Sequence, residues 1–289
     1  VSKKFLFIIN PYSGTKKKEI IEVLIHSYFS KSDFNYEIAY TQYKGHATEL
    51  AKEAANMQYY AVVAVGGDGS VNEVAQALVQ TNTALGIIPA GSGNGLARHL
   101  KIPINYKKAI EHLLISSTKL IDTAMLNNYF FVGIAGIGFE ALVAWTFAKS
   151  KKRGFLSYIR IAFTEWQLYK PIKVTIETEM EKYNTSIFSL AIANSSQYGN
   201  NAYISPLSAI NDGFLERVII KKINWFHIPL FIYYLFCKKI YKSKQVETNK
   251  IKSISLSQSA SFAHIDGEPV EIGNNIQIVI NPSSLNVIY

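Results

Sequence analysis

A single cysteine in 289 residues leaves nothing to close an internal disulfide and too few thiols for a multi-cysteine zinc or iron–sulfur site. It fits a reducing compartment, with the cytoplasm as the expected location. Acids are the minority charge: 21 Asp plus Glu against 30 Lys plus Arg give a formal net charge of +9. That balance favours a negatively charged partner such as a nucleotide, a nucleic acid or an anionic membrane face. Long hydrophobic runs are also missing. The longest strongly apolar stretch without formal charge, Ile223–Cys237, contains His227 and Pro229 and falls short of the roughly 20 residues that span a bilayer. The run Phe5–Ile9 stops at Asn10-Pro11, too short for a signal-peptide core and without a small-residue cleavage site, so neither secretion nor membrane integration is expected. Two nucleotide motifs are absent. No G-x-x-x-x-G-K-[ST] occurs and no G-x-G-x-x-G follows the first strand, which excludes a P-loop enzyme and argues against a dinucleotide-binding Rossmann site. Zinc-finger spacing, an RNP-like aromatic motif and a helix-turn-helix are missing too, so nucleic acid is not an expected partner.

What is present is core-forming material. Hydrophobic residues make up 48% of the chain, aromatics 13% and charged residues 18%, which describes a globular protein, and the length favours two domains. From Phe5 to about Asp122, short apolar runs alternate with amphipathic stretches. Phe5–Ile9, Tyr36–Tyr40, Ala61–Val65 and Leu85–Ile88 read as strands. Ile20, Val23, Leu24 and Ile25, then Ala47, Leu50, Ala51 and Ala54, then Val71, Val74, Ala75 and Leu78 recur at helical spacing between them. Repeated βα units predict a parallel sheet covered by helices. Beyond Asn128 the rhythm changes to strand-like segments at Lys173–Glu177, Ser186–Ala193, Leu215–Ile220, Ile251–Leu256 and Ile276–Ile280, which predict a mainly antiparallel second domain. The expected division is 1–127 and 128–289, with a return of the last segment to the first domain left open and the interdomain cleft as the default site.

Three loops carry the chemistry. Gly66-Gly67-Asp68-Gly69-Ser70-Val71-Asn72-Glu73 follows one predicted strand and opens a helix. Pro89-Ala90-Gly91-Ser92-Gly93-Asn94 does the same some twenty residues on. Asn10-Pro11-Tyr12-Ser13-Gly14 ends the first strand, with Lys16, Lys17 and Lys18 behind it. Glycines admit close approach of a ligand to the backbone, and the amides opening a helix attract phosphate. Loops in successive βα units converge on one edge of a sheet. Asp68 would repel a phosphate unless a cation or hydroxyl lay between them, and magnesium is the economical expectation.

These blocks, with Thr41 and Gly45-His46-Ala47, Asp122, Ser205-Pro206, Asp212-Gly213 and Asp266-Gly267-Glu268, resemble the soluble diacylglycerol kinase superfamily, specifically bacterial lipid kinases of the YegS and DgkB type. The resemblance runs through nearly the whole chain. It implies an α/β nucleotide domain of NAD-kinase-like fold, a C-terminal β-sandwich, and ATP with Mg2+ as cofactors. It also implies ATP-binding roles for Asn10, Pro11, Tyr12, Ser13, Gly14, Thr41, Gly67, Asp68, Gly69, Ser70, Val71, Asn72, Glu73 and Ser92. Glu268 is then the proton acceptor, assisted by Asp68, and a structural magnesium is held by the Asp212 side chain with main-chain oxygens of Ala209 and Phe214. The sequence departs from the family pattern in two places: Asn94 is followed by Gly95 where an acid is common, and Thr15 stands where a basic residue is common. Gly91-Ser92-Gly93-Asn94 looks more like the sphingosine and ceramide kinase branch.

Read without the resemblance, Asp266-Gly267 and Asp212-Gly213 are turn dipeptides. Trp145–Lys173 and Trp225–Lys252 mix aromatics with basic residues; Lys221 to Lys252 holds eight lysines and one acid, Glu247. Such segments suit an anionic leaflet, although aromatic stripes mostly fill cores. The expected function is an ATP- and Mg-dependent kinase of a diacylglycerol-like or sphingoid-like lipid hydroxyl, cytoplasmic and peripherally membrane-associated, with a homodimer among the expected partners. The alternatives are a lipid-binding or regulatory module without turnover, and a kinase of a soluble molecule related to NAD.

Overall fold

A computed structural model describes residues 3–12, 19–150, 154–258 and 261–289. Contacts divide the chain into two units, Val1–Ile121 with Ser283–Tyr289, and Asp122–Pro282. The chain therefore passes between the units twice. Asn127-Asn128, the pair expected at the boundary, is instead the turn of a hairpin in the second unit, with Asn127 at φ 50° and Leu126 opposite Tyr129.

The first unit alternates β1 (Lys4–Ile9), α1 (Glu19–Phe29), β2 (Asn35–Tyr40), α2 (His46–Asn56), β3 (Ala61–Gly66), α3 (Asp68–Leu78), β4 (Ala84–Pro89), α4 (Gly95–His99) and α5 (Tyr106–Ile115). The strands are parallel in the order β2-β1-β3-β4. Every residue of β3 and β4 is buried, as strands covered on both faces require. Helix α1 docks through Ile21, Ile25 and Phe29, which recur every four residues, while Ile20 and Val23 of the expected stripe face solvent. Because β2 and β3 lie on opposite sides of β1, the order reverses at β1, and the crevice beyond its carboxyl end is the natural ligand position.

The second unit begins within β5 (Thr118–Leu126) and continues through β6 (Tyr129–Phe131), β7 (Ile134–Gly138), α6 (Phe139–Lys149), α7 (Phe155–Leu168), β8 (Ile172–Glu177), β9 (Lys182–Ile187), β10 (Ser189–Ala193), β11 (Leu215–Ile220), α8 (Ile228–Phe236), β12 (Val246–Ile251), β13 (Ser253–Gln258), β14 (Phe262–Ile265), β15 (Glu268–Glu271) and the first part of β16 (Asn275–Ile288). Strands β12-β11-β10-β7-β14-β15 form one antiparallel sheet. Strands β9-β8-β13-β16 form the other. Val174, Ile176, Leu256 and Ile278 from the second meet Leu190, Ile192, Leu215 and Ile219 from the first in one core, which makes a β-sandwich. The single strand expected over Ser186–Ala193 is two, because the chain leaves one sheet for the other at Phe188, whose N–H donates to Ile220 O at 2.8 Å.

The last residues of β16 return to the first unit, where Val287 pairs in parallel with Leu85 of β4. Leu285, Val287 and Ile288 are fully buried. Ile288→Ala should lower stability in urea unfolding by about 2–5 kcal/mol, as for other buried large-to-small changes. A loss below about 1 kcal/mol would mean that the terminal segment is not part of that core.

Candidate active site

In the first unit the expected loops meet at the carboxyl edge of the sheet. Asn10, directly after β1, donates its backbone N–H to Val65 O at 3.2 Å and its side-chain amide to Ser70 Oγ at 3.1 Å. Asn10 Oδ1 accepts the N–H of Tyr12 at 2.9 Å, which turns the chain through Pro11 and leaves Tyr12 exposed. Ser13 and Gly14 lie outside the described residues. Thr41, buried at the end of β2, donates its N–H to Ile9 O. Glu73 on α3 reaches back to this loop: Gly45 N–H donates to its Oε1 at 3.0 Å, and the Thr48 hydroxyl donates to its carbonyl at 2.9 Å. Glu73 thus holds the loop after β2.

The two glycine-rich loops are joined by Asp68. Its Oδ2 accepts the N–H of Asn94 at 2.9 Å and its Oδ1 the N–H of Gly95 at 2.7 Å. Charge-assisted bonds to backbone amides are the strong ones, so these two amides hold the carboxylate firmly in place. The two amides open α4, so Asp68 ties the second glycine loop to the first. Asn94 adopts a left-handed conformation, φ 55°, and brackets Gly91 by accepting its N–H at 3.0 Å and donating to its carbonyl at 2.9 Å. Arg98 Nε donates to Gly93 O at 3.1 Å, which spends at least that edge of the guanidinium on the loop itself. A Cβ on Gly91 would stand 2.4 Å from Gly67 Cα, so this crossing of the two backbones excludes any larger residue. Gly69 and Ser70 lie in the first turn of α3, Val71 is buried beneath it, Asn72 follows, and Ser92 is exposed at the tip of the second loop. Asn94 and Arg98 were legible as parts of a motif, but their roles as braces were not.

In the second unit, Asp266 and Gly267 are the two central residues of the β14–β15 hairpin, both at positive φ (48° and 87°), with Ile265 opposite Glu268. Aspartate followed by glycine suits such a turn. The Asp266 carboxylate is fully occupied by the chain: Oδ1 accepts from Gly133 N–H at 2.8 Å and Ile134 N–H at 2.9 Å, and Oδ2 from Val132 N–H at 3.1 Å. Asn194, fully buried at the end of β10, ties this loop to the next motif by donating to Val132 O at 2.9 Å and Asp122 O at 2.7 Å. Asp122 in turn accepts Gly213 N–H on Oδ2 at 2.7 Å. No pattern in the sequence marked Asn194. Glu268 differs from these acids: it is exposed and, among the described residues, has no hydrogen-bond or ion-pair partner.

The loop expected to hold a metal is organised around Asp212. Asp212 Oδ1 accepts Phe214 N–H at 3.0 Å, and Oδ2 lies 2.6 Å from the Lys250 ammonium. Ala209 and Phe214 are exposed beside it, and no group of three or more His, Cys, Asp or Glu able to hold a metal occurs among the described residues. The Asp212 carboxylate is thus held by the Phe214 amide and the Lys250 ammonium.

The model of the diacylglycerol kinase catalytic domain matches residues 4–126, and that of the YegS C-terminal NAD kinase β-sandwich-like domain matches residues 133–289. The chain belongs to the diacylglycerol kinase family of lipid kinases. It is 30% identical over 229 residues to a diacylglycerol kinase of Bacillus subtilis (strain 168), covering 77% of this chain and 75% of that protein. It is 26% identical to a diacylglycerol kinase of Staphylococcus saprophyticus, covering 92% and 89%. A crystal structure of a diacylglycerol kinase from Bacillus anthracis (strain Sterne) has the same fold, with a TM-score of 0.79 at 22% identity over 99% of this chain and 97% of that one.

Asp266→Ala strands three backbone donors at once. It should destabilise the protein by about 2–4 kcal/mol in chemical denaturation, since each unmet donor costs on the order of 1–3 kcal/mol before relaxation. Stability within about 0.5 kcal/mol of the parent would show that the carboxylate is not what secures the 132–134 loop.

Proposed function

We propose that this family member transfers the γ-phosphate of Mg–ATP to a hydroxyl of a diacylglycerol-like or sphingoid-like lipid, with Glu268 as proton acceptor. The observation that carries this reading is the joined pair of glycine loops. Ser70 and Gly69 at the first turn of α3 and Ser92–Gly93 in the second loop present backbone donors around one carboxyl edge, with Asn10 and Thr41 beside them. Backbone donors and the positive end of a helix suit a polyphosphate. Magnesium arrives with the nucleotide, as part of the substrate. Asp68 acts by holding Asn94 and Gly95 in place.

Phosphoryl transfer asks the protein mainly for position and charge stabilisation. The lipid oxygen forms its bond to the γ-phosphorus, the bond from that phosphorus to the bridging oxygen breaks, and ADP leaves with the electrons. The hydroxyl proton passes to a carboxylate, and Glu268 is suited because its oxygens are not already spent on the chain. Asp266, two residues away, is unsuited for the opposite reason.

Delivery of a lipid substrate is supported by the second unit's surface. Trp225 and Phe226 are stacked at a 3.6 Å ring separation and about 70% exposed, and Leu230, Ile232 and Tyr233 of α8 are also exposed. Lys221, Lys222, Lys238, Lys242 and Lys244 flank them along the chain and are exposed. On α7, Leu156, Phe163 and Leu168 face outward as well. No helix among the described residues is long and apolar enough to cross a membrane. Apolar rings with nearby lysines favour instead contact with an anionic leaflet, at roughly 1 kcal/mol per basic residue.

Glu268→Gln should abolish labelled-phosphate transfer from ATP to a panel of diacylglycerols and sphingoid bases while leaving ATP affinity nearly intact; undiminished turnover would remove Glu268 as base. Trp225→Ala with Phe226→Ala should cut sedimentation with phosphatidylglycerol vesicles several-fold while leaving activity on detergent-dispersed lipid unchanged. Equal vesicle binding would move the membrane contact elsewhere.

A further inference from the structure

Behind the β14–β15 turn lies a buried polar cluster with no part in the chemistry above. Glu140, in the first turn of α6, and His264, on β14, are 7% and 3% exposed, with Glu140 Oε2 3.4 Å from His264 Nε2. The Tyr198 hydroxyl donates to the same Glu140 oxygen, and burial, reinforced by Glu140, raises the Tyr198 hydroxyl well above its ordinary range, so it stays a donor. Glu140 Oε1 lies where Gly136 of β7 has no side chain: a Cβ there would stand 1.8 Å from that oxygen and 3.0 Å from His264 Nε2. Burying such a pair costs desolvation that well-packed apolar residues would avoid, and neither Glu140 Oε1 nor His264 Nε2 has a hydrogen-bond partner among the described residues. Pure packing does not account for it.

The ring's other nitrogen faces the turn. Gly267 N–H donates to His264 Nδ1 at 3.4 Å. An accepting Nδ1 requires the proton on Nε2, the nitrogen turned toward Glu140. The two central residues of the turn are thus fixed separately, Asp266 by the 132–134 amides and Gly267 by the His264 ring. The next residue is Glu268, whose side chain has no anchor of its own.

We infer that His264, packed in the buried cluster beside Glu140 and Tyr198, is a positioning residue that sets the direction of Glu268 through the Gly267 amide. The inference rests on Glu268 being the base, and it deepens that reading. His264 touches neither substrate; its effect is confined to where the carboxylate points.

The test compares His264→Leu, which removes the acceptor, with His264→Asn, whose side-chain oxygen can occupy the place of Nδ1. Turnover is measured with labelled ATP on 1,2-dioleoylglycerol and, in parallel, sphingosine in mixed micelles, and amide exchange at Gly267 is followed in the same proteins. His264→Leu should lower kcat roughly 10- to 100-fold, the scale of a misplaced catalytic group, with KM for ATP unchanged and faster Gly267 exchange. His264→Asn should recover most of both. Parental kcat in a folded His264→Leu protein, unchanged Gly267 exchange, or an Asn variant no better than Leu would each overturn the inference. The underlying reading fails differently: Glu268→Gln would then keep full turnover, or the parent would phosphorylate neither lipid. An inactive Glu268→Gln beside a fully active His264→Leu defeats the positioning role alone.

Discussion

The Asp68 carboxylate, shared between the amides of Asn94 and Gly95, is the constraint on which the first unit's site depends. It places an acid where a phosphate-binding loop would ordinarily avoid one, and two backbone donors hold it there. The same two bonds fix the distance between the glycine loops. Gly67 and Gly91 then pass at a separation that no side chain permits, and Asn94 and Arg98 brace the second loop from within. Glu73 repeats the device one loop over, where its carboxylate captures Gly45. Asp68 and Glu73 thus each hold backbone amides of a neighbouring loop.

The second unit follows the same logic with a different outcome. Asp266, Asp122 and Asp212 are each satisfied by the chain or by Lys250, while Glu268 is left exposed at the end of a turn fixed from behind. A general base needs an unspent carboxylate in a defined direction. For the proposed base Glu268, support on one side and open solvent on the other would supply both conditions. The basic, aromatic surface around α8 belongs to the same unit, so the features that suit a lipid and the carboxylate that suits its hydroxyl are carried by one structural body.

Much of this was legible in the sequence because periodicity and turn chemistry are local. The strands from β1 to β4 read directly as apolar runs, and Asp266-Gly267 read as a turn. Long-range pairing was not legible. Ile20 and Val23 satisfy helical spacing as well as Ile21 and Ile25 do, and only the neighbours of α1 decide which face is buried. The split of Ser186–Ala193 at Phe188 depends on which sheet each half joins. The partners of Asp68 lie 26 and 27 residues away and Lys250 lies 38 residues from Asp212, so none of these contacts was legible in the sequence. Asn194 left no local trace, since a buried amide at a strand end is visible only through the carbonyls it serves.

The central claim is that two glycine loops, locked together by one carboxylate, bind the phosphates of a nucleotide as a unit. Titrating Mg–ATP into isotopically labelled protein and following backbone amides tests it most directly. The account predicts that the amides of Gly69 and Ser70 and those of Ser92 and Gly93 shift together, with a single dissociation constant. Shifts confined to one loop, or none in either at saturating Mg–ATP, would contradict it.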